Sequence, residues 1–181
     1  NKKIRSQDDA YQKASYEAQH DGLTDLWSKS AGREQIENYF AHMQEGDQAV
    51  LIFVDIDDFK QINDRYGHLQ GDVCLAEIAD CIKKAYARCG YCYRIGGDEF
   101  ACLVPCSDET MSRDLYRTLH SAFDIFNRMS EKAYNITVST GFYLLPKDMD
   151  STLPEMLAHA DAMLYEEKQK RDKNVAKILP K

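Results

Sequence analysis

The stretch Arg94-Ile95-Gly96-Gly97-Asp98-Glu99-Phe100 constrains the chain most, because it joins two apolar runs through paired glycines. Tyr91-Cys92-Tyr93 precede it and Phe100-Ala101-Cys102-Leu103-Val104 follow. Glycines supply the positive φ that tight hairpin turns demand, so the pattern predicts a β-hairpin with Asp98 and Glu99 at its tip. Acidic residues at a turn are commonly no more than solvated surface. A second acidic group upstream changes that weighting. Ala49-Val50-Leu51-Ile52-Phe53-Val54 is too short to cross a membrane and suits a buried strand, and Asp55-Ile56-Asp57-Asp58 follows it directly. If this strand lies beside the hairpin, Asp55, Asp98 and Glu99 converge. Carboxylates that close raise one another's pKa values unless a cation sits among them. Oxygen-only ligands point to Mg²⁺ or Mn²⁺, and through the metal to a phosphate substrate.

The 181 residues suffice for one domain with a proper core, preceded by a short lead-in, and 44% hydrophobic content is ordinary for a globular chain. A net charge of −7 argues against nucleic acid as the main partner, since a phosphate backbone wants a basic face. No stretch has the apolar length of a membrane-spanning helix or the core of a signal peptide, so this segment reads as cytoplasmic, without membrane contact of its own. It starts with Asn and reads as a piece of a longer protein, whose missing N-terminal part could hold a sensor or a membrane anchor. Six cysteines include Cys89-x-x-Cys92 and Cys102-x₃-Cys106, a loosely zinc-like spacing. Cys74, Cys81 and Cys102 fall at apolar positions, however, where cysteine acts as a small buried hydrophobe, and reduced thiols are the expectation.

Residues 1–20 carry a weak heptad-like trace of Ile4, Tyr11 and Ala18, either a frayed tail or a helix. Ile36, Tyr39, Phe40 and Met43 recur at helical spacing between Ser30 and Gln44. After Asp55 come Phe59 to Asp64, a turn at Tyr66-Gly67-His68, and a helix from about Gly71 with Leu75, Ile78, Ala79 and Ile82 on one face. Asp72 would sit in its first turn, where a helix N-terminus favours a carboxylate in any case. Ser107-Asp108-Glu109 caps another amphipathic helix through Leu115, Leu119, Ala122 and Phe126. Ile136 to Leu145 reads as a strand ending at Pro146, and Thr152-x-x-Glu155 as a capping box opening a last helix. Val175 to Leu179 reads as a short edge strand. The order predicts an α+β fold, a mostly antiparallel sheet covered by helices.

Five ordered blocks carry a family resemblance: DGLTDL at 21–26, VDIDDFKQINDRYGHLQGD at 54–72, RIGGDEF at 94–100, TVSTG at 137–141 and ADAMLYEEK at 160–168. Together they resemble the GGDEF domains, or diguanylate cyclases, over roughly residues 21–170. The resemblance implies a βααββαβ core similar to nucleotidyl cyclase and polymerase palm domains, with residues 21–181 the catalytic domain. It implies that residues 1–20 end a helix from an upstream sensor domain and help to pair two copies. The implied reaction joins two GTP molecules into cyclic di-GMP and releases two pyrophosphates. Each 3′-hydroxyl attacks the α-phosphate of the other nucleotide, so a homodimer is needed for turnover.

By matched position, Asp55 and Asp98 would ligate the metal through carboxylates and Ile56 through its carbonyl. Glu99 would be both a metal-associated carboxylate and the base. Asp58 and Phe59 match backbone amides around the phosphates, Lys60 a charge-stabilising cation, and Lys168 a phosphate-binding lysine. Asn63 and Asp72 match the guanine-reading pair. Guanine offers adjacent N1–H and N2–H₂ donors that one carboxylate can accept together and adenine does not, so GTP is expected over ATP. His68 lies in the same loop, either touching the nucleotide or serving as a structural hydrogen-bonder.

Three departures qualify the match. The family's RxxD product-inhibition site falls on Ala87 and Gly90, so feedback through it is expected to be absent. The Lys-x-x-Gly-Arg-Asn ending reads Lys168-Gln169-Lys170-Arg171-Asp172-Lys173-Asn174, which leaves either Arg171 or Lys173 as the phosphate-binding cation. The usual Asn-Arg after the first block is Ser28-Lys29, expected to affect packing or dimer contacts more than chemistry. The alternative to an active cyclase is a catalytically silent GTP-binding signalling module.

Overall fold

The computed structural model describes residues 2–44, 46–86, 88–145 and 152–178, with side chains described between positions 10 and 171 of these. In chain order the elements are α1 (Lys2–Gln19), α2 (Lys29–His42), β1 (Gln48–Ile56), α3 (Phe59–Tyr66), α4 (His68–Tyr86), β2 (Tyr91–Gly96), β3 (Glu99–Cys106), α5 (Glu109–Met129), β4 (Val138–Leu144) and α6 (Leu153–Ile178). From β1 to β4 this is βααββαβ, the order expected. One four-stranded sheet runs β2-β3-β1-β4 with every neighbouring pair antiparallel. The expected α+β class therefore stands.

The central strand β1 is buried along almost its whole length, as its unbroken apolar sequence demands. Its alternation divides the core. Val50, Ile52, Val54 and Ile56 face Leu75, Ile78 and Ile82 of α4 and Leu115, Leu119 and Phe123 of α5. Ala49 and Leu51 face Ile36 of α2 and Met156 and Ala160 of α6. Gly141 of β4 lets α6 approach closely, since a Cβ there would overlap the Ala160 carbonyl. At the start of α6 the carboxylate half of the expected capping box forms: Glu155 accepts from both the backbone N–H and the hydroxyl of Thr152, at 2.7 and 2.8 Å. Asp108 caps α5, accepting from the Met111 amide at 2.8 Å.

Two expectations are corrected. Helix α4 begins at His68, not near Gly71, so Asp72 lies in the second turn and is no first-turn cap. The run from Val175 continues α6 to Ile178 rather than forming an edge strand, and Leu179 lies outside the described residues. Apolar residues at 175 and 178 are three apart, a spacing a helix accommodates as readily as a strand does. Residues 2–19 are helical, and no described helix is long and apolar enough to cross a membrane. All six cysteines are free thiols, five of them buried; burial pushes Cys74 up to about 12 and Cys81 to about 11, so both stay protonated and inert.

A polar contact links α5, β4 and α6. The Nε2 atom of His120 lies 3.4 Å from the Thr140 hydroxyl, which donates to Glu167 at 3.1 Å, while Tyr116 packs on the imidazole at 4.2 Å. Burial depresses the His120 pKa, with Glu167 and Asp124 opposing. An unfolded chain then binds a proton here before the folded one does. Stability is expected to fall as pH drops through the ordinary histidine range toward the lower folded value. Urea unfolding of wild type and His120→Gln between pH 7.5 and 5 should show a shallower loss in the variant.

Candidate active site

The site is built on one end of the sheet. Asp55, the penultimate residue of β1, stands directly opposite Glu99, the first residue of β3, and they share the α2/α6 face by strand parity. Gly97 and Asp98 form the turn between β2 and β3, with Gly97 at φ 55°. Gly96 closes β2 at φ 150°, so the two-residue loop is Gly97-Asp98 rather than Gly96-Gly97. The Asp98 carbonyl accepts from the Ile56 amide at 3.3 Å, which ties the turn to the end of β1. Asp55, Ile56, Asp98 and Glu99 are thus neighbours.

The electrostatics of this group are those of crowded carboxylates. Burial pushes the Asp55 pKa up, and Asp98 and Asp57 add to it; this outweighs the Lys168 ammonium, only 2.7 Å from Asp55 Oδ2. Glu99 is raised by partial burial, then by Asp55 and Asp98. Among the described residues no three ligating side chains close on one point as a ready-made ion site. The donor set nevertheless fits a hard divalent cation: all its ligands are oxygens, and its raised pKa values mark charge that a cation would relieve. The Lys168 ammonium already fills part of that role at Asp55.

The turn after β1 is strained in a useful way. Asp58 adopts φ 54° without capping α3 through its side chain, and Phe59 begins the helix. First-turn amides of a helix have no acceptor within it, so those of Phe59 and Lys60 are available to an anion, while the Gln61 amide donates to the Asp58 carbonyl at 2.8 Å. Lys60, in that turn, and Asp58 are exposed, and Phe59 is half-buried. Across the α3–α4 corner, Gly71 makes room for Asn63: a methyl group at position 71 would overlap the Asn63 carboxamide. Asn63 is therefore seated beside Gly71 and the neighbouring Asp72, while His68 and Asp72 are exposed. We expect Gly71→Ala to keep its fold, since alanine is the better helix former by up to about 1 kcal/mol. It should displace Asn63 and raise KM roughly tenfold for a substrate that the Asn63 carboxamide holds, the worth of one hydrogen bond. Steady-state kinetics beside a melting curve check this.

Sequence reasoning missed Asp57. It is buried, donates its amide N–H to the Thr137 carbonyl at 2.9 Å, accepts from the Ser139 hydroxyl at 2.6 Å, and pairs with the Arg171 guanidinium. Lys168 on Asp55 and Arg171 on Asp57 thus form a double clasp between α6 and the end of β1. The signal was present: carboxylates two apart share a strand face and cations three apart share a helix face. Of the two cations left open by the sequence, Arg171 reaches the site; the side chain of Lys173 lies outside the described residues.

A second missed link supports the turn. Arg94 donates to the Gly97 carbonyl from Nε and Nη2, at 3.1 and 2.7 Å, and pairs with Asp21 through Nη1 at 3.3 Å. Burial pushes the Asp21 carboxyl up, but hydrogen bonds from Thr24 and the Arg94 charge hold it below the usual range. The segment after α1 is thereby fastened to the turn that carries Asp98. Of the expected product-inhibition positions, Ala87 lies outside the described residues. At Gly90 a Cβ would meet the Leu103 carbonyl at 2.7 Å, so a side chain there needs the backbone to shift.

The profile of the family described as "Diguanylate cyclase, GGDEF domain" matches residues 18–174. The chain belongs to the GGDEF domain family. It is 31% identical over 156 residues to the bifunctional diguanylate cyclase/cyclic di-GMP phosphodiesterase MucR of Pseudomonas aeruginosa, covering 83% of this chain and 22% of that protein. With the diguanylate cyclase VdcA of Vibrio cholerae it shares 30% identity over 160 residues, 86% of this chain and 46% of the relative. The chain thus spans less than half the length of either. Its fold superposes with a TM-score of 0.80 on the coiled coil and GGDEF domain of DgcB from Caulobacter crescentus, solved in complex with c-di-GMP. That match has 26% identity and covers 93% of this chain and 90% of the other.

Proposed function

We propose that this GGDEF domain is an active diguanylate cyclase and the cytoplasmic output domain of a larger signalling protein. It condenses two GTP into cyclic di-GMP and two pyrophosphates across a homodimer. The observation that carries this is the register of β1 against β3, which sets Asp55 opposite Glu99 with Asp98 in the adjoining turn. A scaffold has no need of three carboxylates forced together, with burial and crowding holding Asp55 and Glu99 above the usual carboxylate range. Asp55, Asp98, Glu99 and the Ile56 carbonyl would hold Mg²⁺ or Mn²⁺, which when bound supplies charge neutralisation for the triphosphate.

The chain's own groups do the rest. Lys60, the amides after Asp58, and Lys168 and Arg171 meet the phosphates, the last two by exchanging Asp55 and Asp57 for phosphate oxygens. Glu99 takes the proton of the 3′-hydroxyl, for which a carboxylate held above its ordinary pKa is the better base. Asp72 accepts from guanine N1–H and N2–H₂ and Asn63, seated against Gly71, completes the reading; His68 borders the same pocket. Adenine would leave the Asp72 carboxylate unanswered, so GTP is selected over ATP.

Incubation with GTP and Mg²⁺ followed by chromatography tests this, with ATP as the comparison. Cyclic di-GMP from GTP alone is expected. GTP that binds and stays unconverted at dimer-forming concentration would instead assign the chain as a silent GTP-binding module, pointing to its altered sequence after Lys168.

A further inference from the structure

Next to Glu99, on the α2/α6 side of the sheet, lies a cavity of about 200 Å³. The guanine-reading residues belong to α3 and α4, which cover the opposite side. Leu157 and Phe53 give the cavity apolar walls, and its charged groups are Lys29 and Arg33 of α2, Glu99, and Asp161 of α6. Lys29 and Arg33 are one helical turn apart and exposed. Among the described residues Lys29 has no ion pair, and Arg33 pairs only with Glu37 on its own helix, at 2.8 Å in an exposed contact of little worth. The domain's own triphosphate is already provided with Lys60, Lys168 and Arg171.

We propose that this face receives the partner domain's GTP, with Lys29 and Arg33 acting in trans on its phosphates. The inference rests on the cyclase reading and names the surface through which two domains complete one another. The hydroxyl that loses its proton to Glu99 attacks the other nucleotide's α-phosphorus. That phosphate must approach within about 3–3.5 Å of the attacking oxygen, on the open side of Glu99. As the 3′-O–Pα bond forms, the bond from Pα to the bridging oxygen breaks, pyrophosphate leaves, and the proton rests on Glu99. Lys29 and Arg33 remain protonated and oppose charge on the non-bridging oxygens. Two chains of net charge −7, each with an anionic nucleotide, meet here. Without these cations, Glu99 and Asp161 would present a purely acidic wall to the incoming phosphates.

Mixed dimers test the inference. The double variant Lys29→Ala/Arg33→Ala should form cyclic di-GMP roughly 100-fold more slowly than wild type, at an unchanged melting temperature. Lys29→Arg/Arg33→Lys should restore most of the rate. Asp98→Asn, with a damaged site of its own, should be inactive alone. Mixed at saturating GTP, the Ala double variant and Asp98→Asn should produce the linear dinucleotide pppGpG. In the heterodimer only the first chain's nucleotide has both an intact site beneath it and cations from the partner. A mixture no more active than its components, or a double variant as fast as wild type, would overturn the proposal. Wild type that makes no cyclic di-GMP at all would overturn the cyclase reading itself.

Discussion

Glu99→Gln should lower GTP turnover by about 10²–10⁴-fold, the range for loss of a general base, while the folded state is not destabilised. The sign of the stability effect follows from the pKa shift. Glu99 is raised in the folded chain by partial burial and by Asp55 and Asp98, so its ionised form is disfavoured there. A group of that kind weakens the fold above its folded pKa and ceases to do so as pH falls below its unfolded value. The neutral isostere removes the repulsion at pH 7 and should leave the unfolding midpoint equal or slightly higher. Asp98→Asn should likewise lose turnover without loss of structure. Inactivity accompanied by a large drop in stability would mean that Glu99 serves the fold and not the chemistry.

The neighbouring residue should behave in the opposite way. Phe100 is fully buried on the other face of β3, opposite Val54 of β1, among the residues packed under α4 and α5. Phe100→Ala removes a large side chain from a dense core and is expected to cost about 3–5 kcal/mol. Against a typical total of roughly 5–15 kcal/mol that is a severe loss. With urea slopes of about 1–3 kcal/mol per molar, the midpoint should move down by more than about 1 M. Phe100→Leu should recover much of it. On the proposed reading the folded fraction of Phe100→Ala should favour GTP over ATP as wild type does, because neither Asn63 nor Asp72 has changed. Two adjacent residues would thus separate chemistry from stability, as the period-two alternation of a strand dictates.

The same alternation explains what was legible beforehand. An unbroken apolar run predicts the doubly covered strand β1, and its end predicts where Asp55 emerges. Glycines flanked by β-like runs predict the hairpin, although the turn falls one residue later because Gly96 remains in β2. The start of α4 was misplaced because Gly67 and Gly71 both look like helix breakers. Gly67, at φ 87°, does separate α3 from α4, whereas Gly71 lies inside the helix to make room for Asn63. The Arg94 link from Asp21 to Gly97 joins residues far apart in sequence, and neither side announces the other; for Asp57 and Arg171 the matched spacing with Asp55 and Lys168 was the one sign. Lys29 looked like a local change after the first motif block. Only the packing of α2 against the sheet brings it to the cavity that Glu99 lines.

The most direct measurement of the central claim is pyrophosphate and cyclic di-GMP counted together from GTP and Mg²⁺ over a series of protein concentrations. The account predicts two pyrophosphates for each cyclic di-GMP, at an initial rate that rises more steeply than first order in protein while the dimer is scarce. GTP that binds at dimer-forming concentration and yields neither product would contradict it.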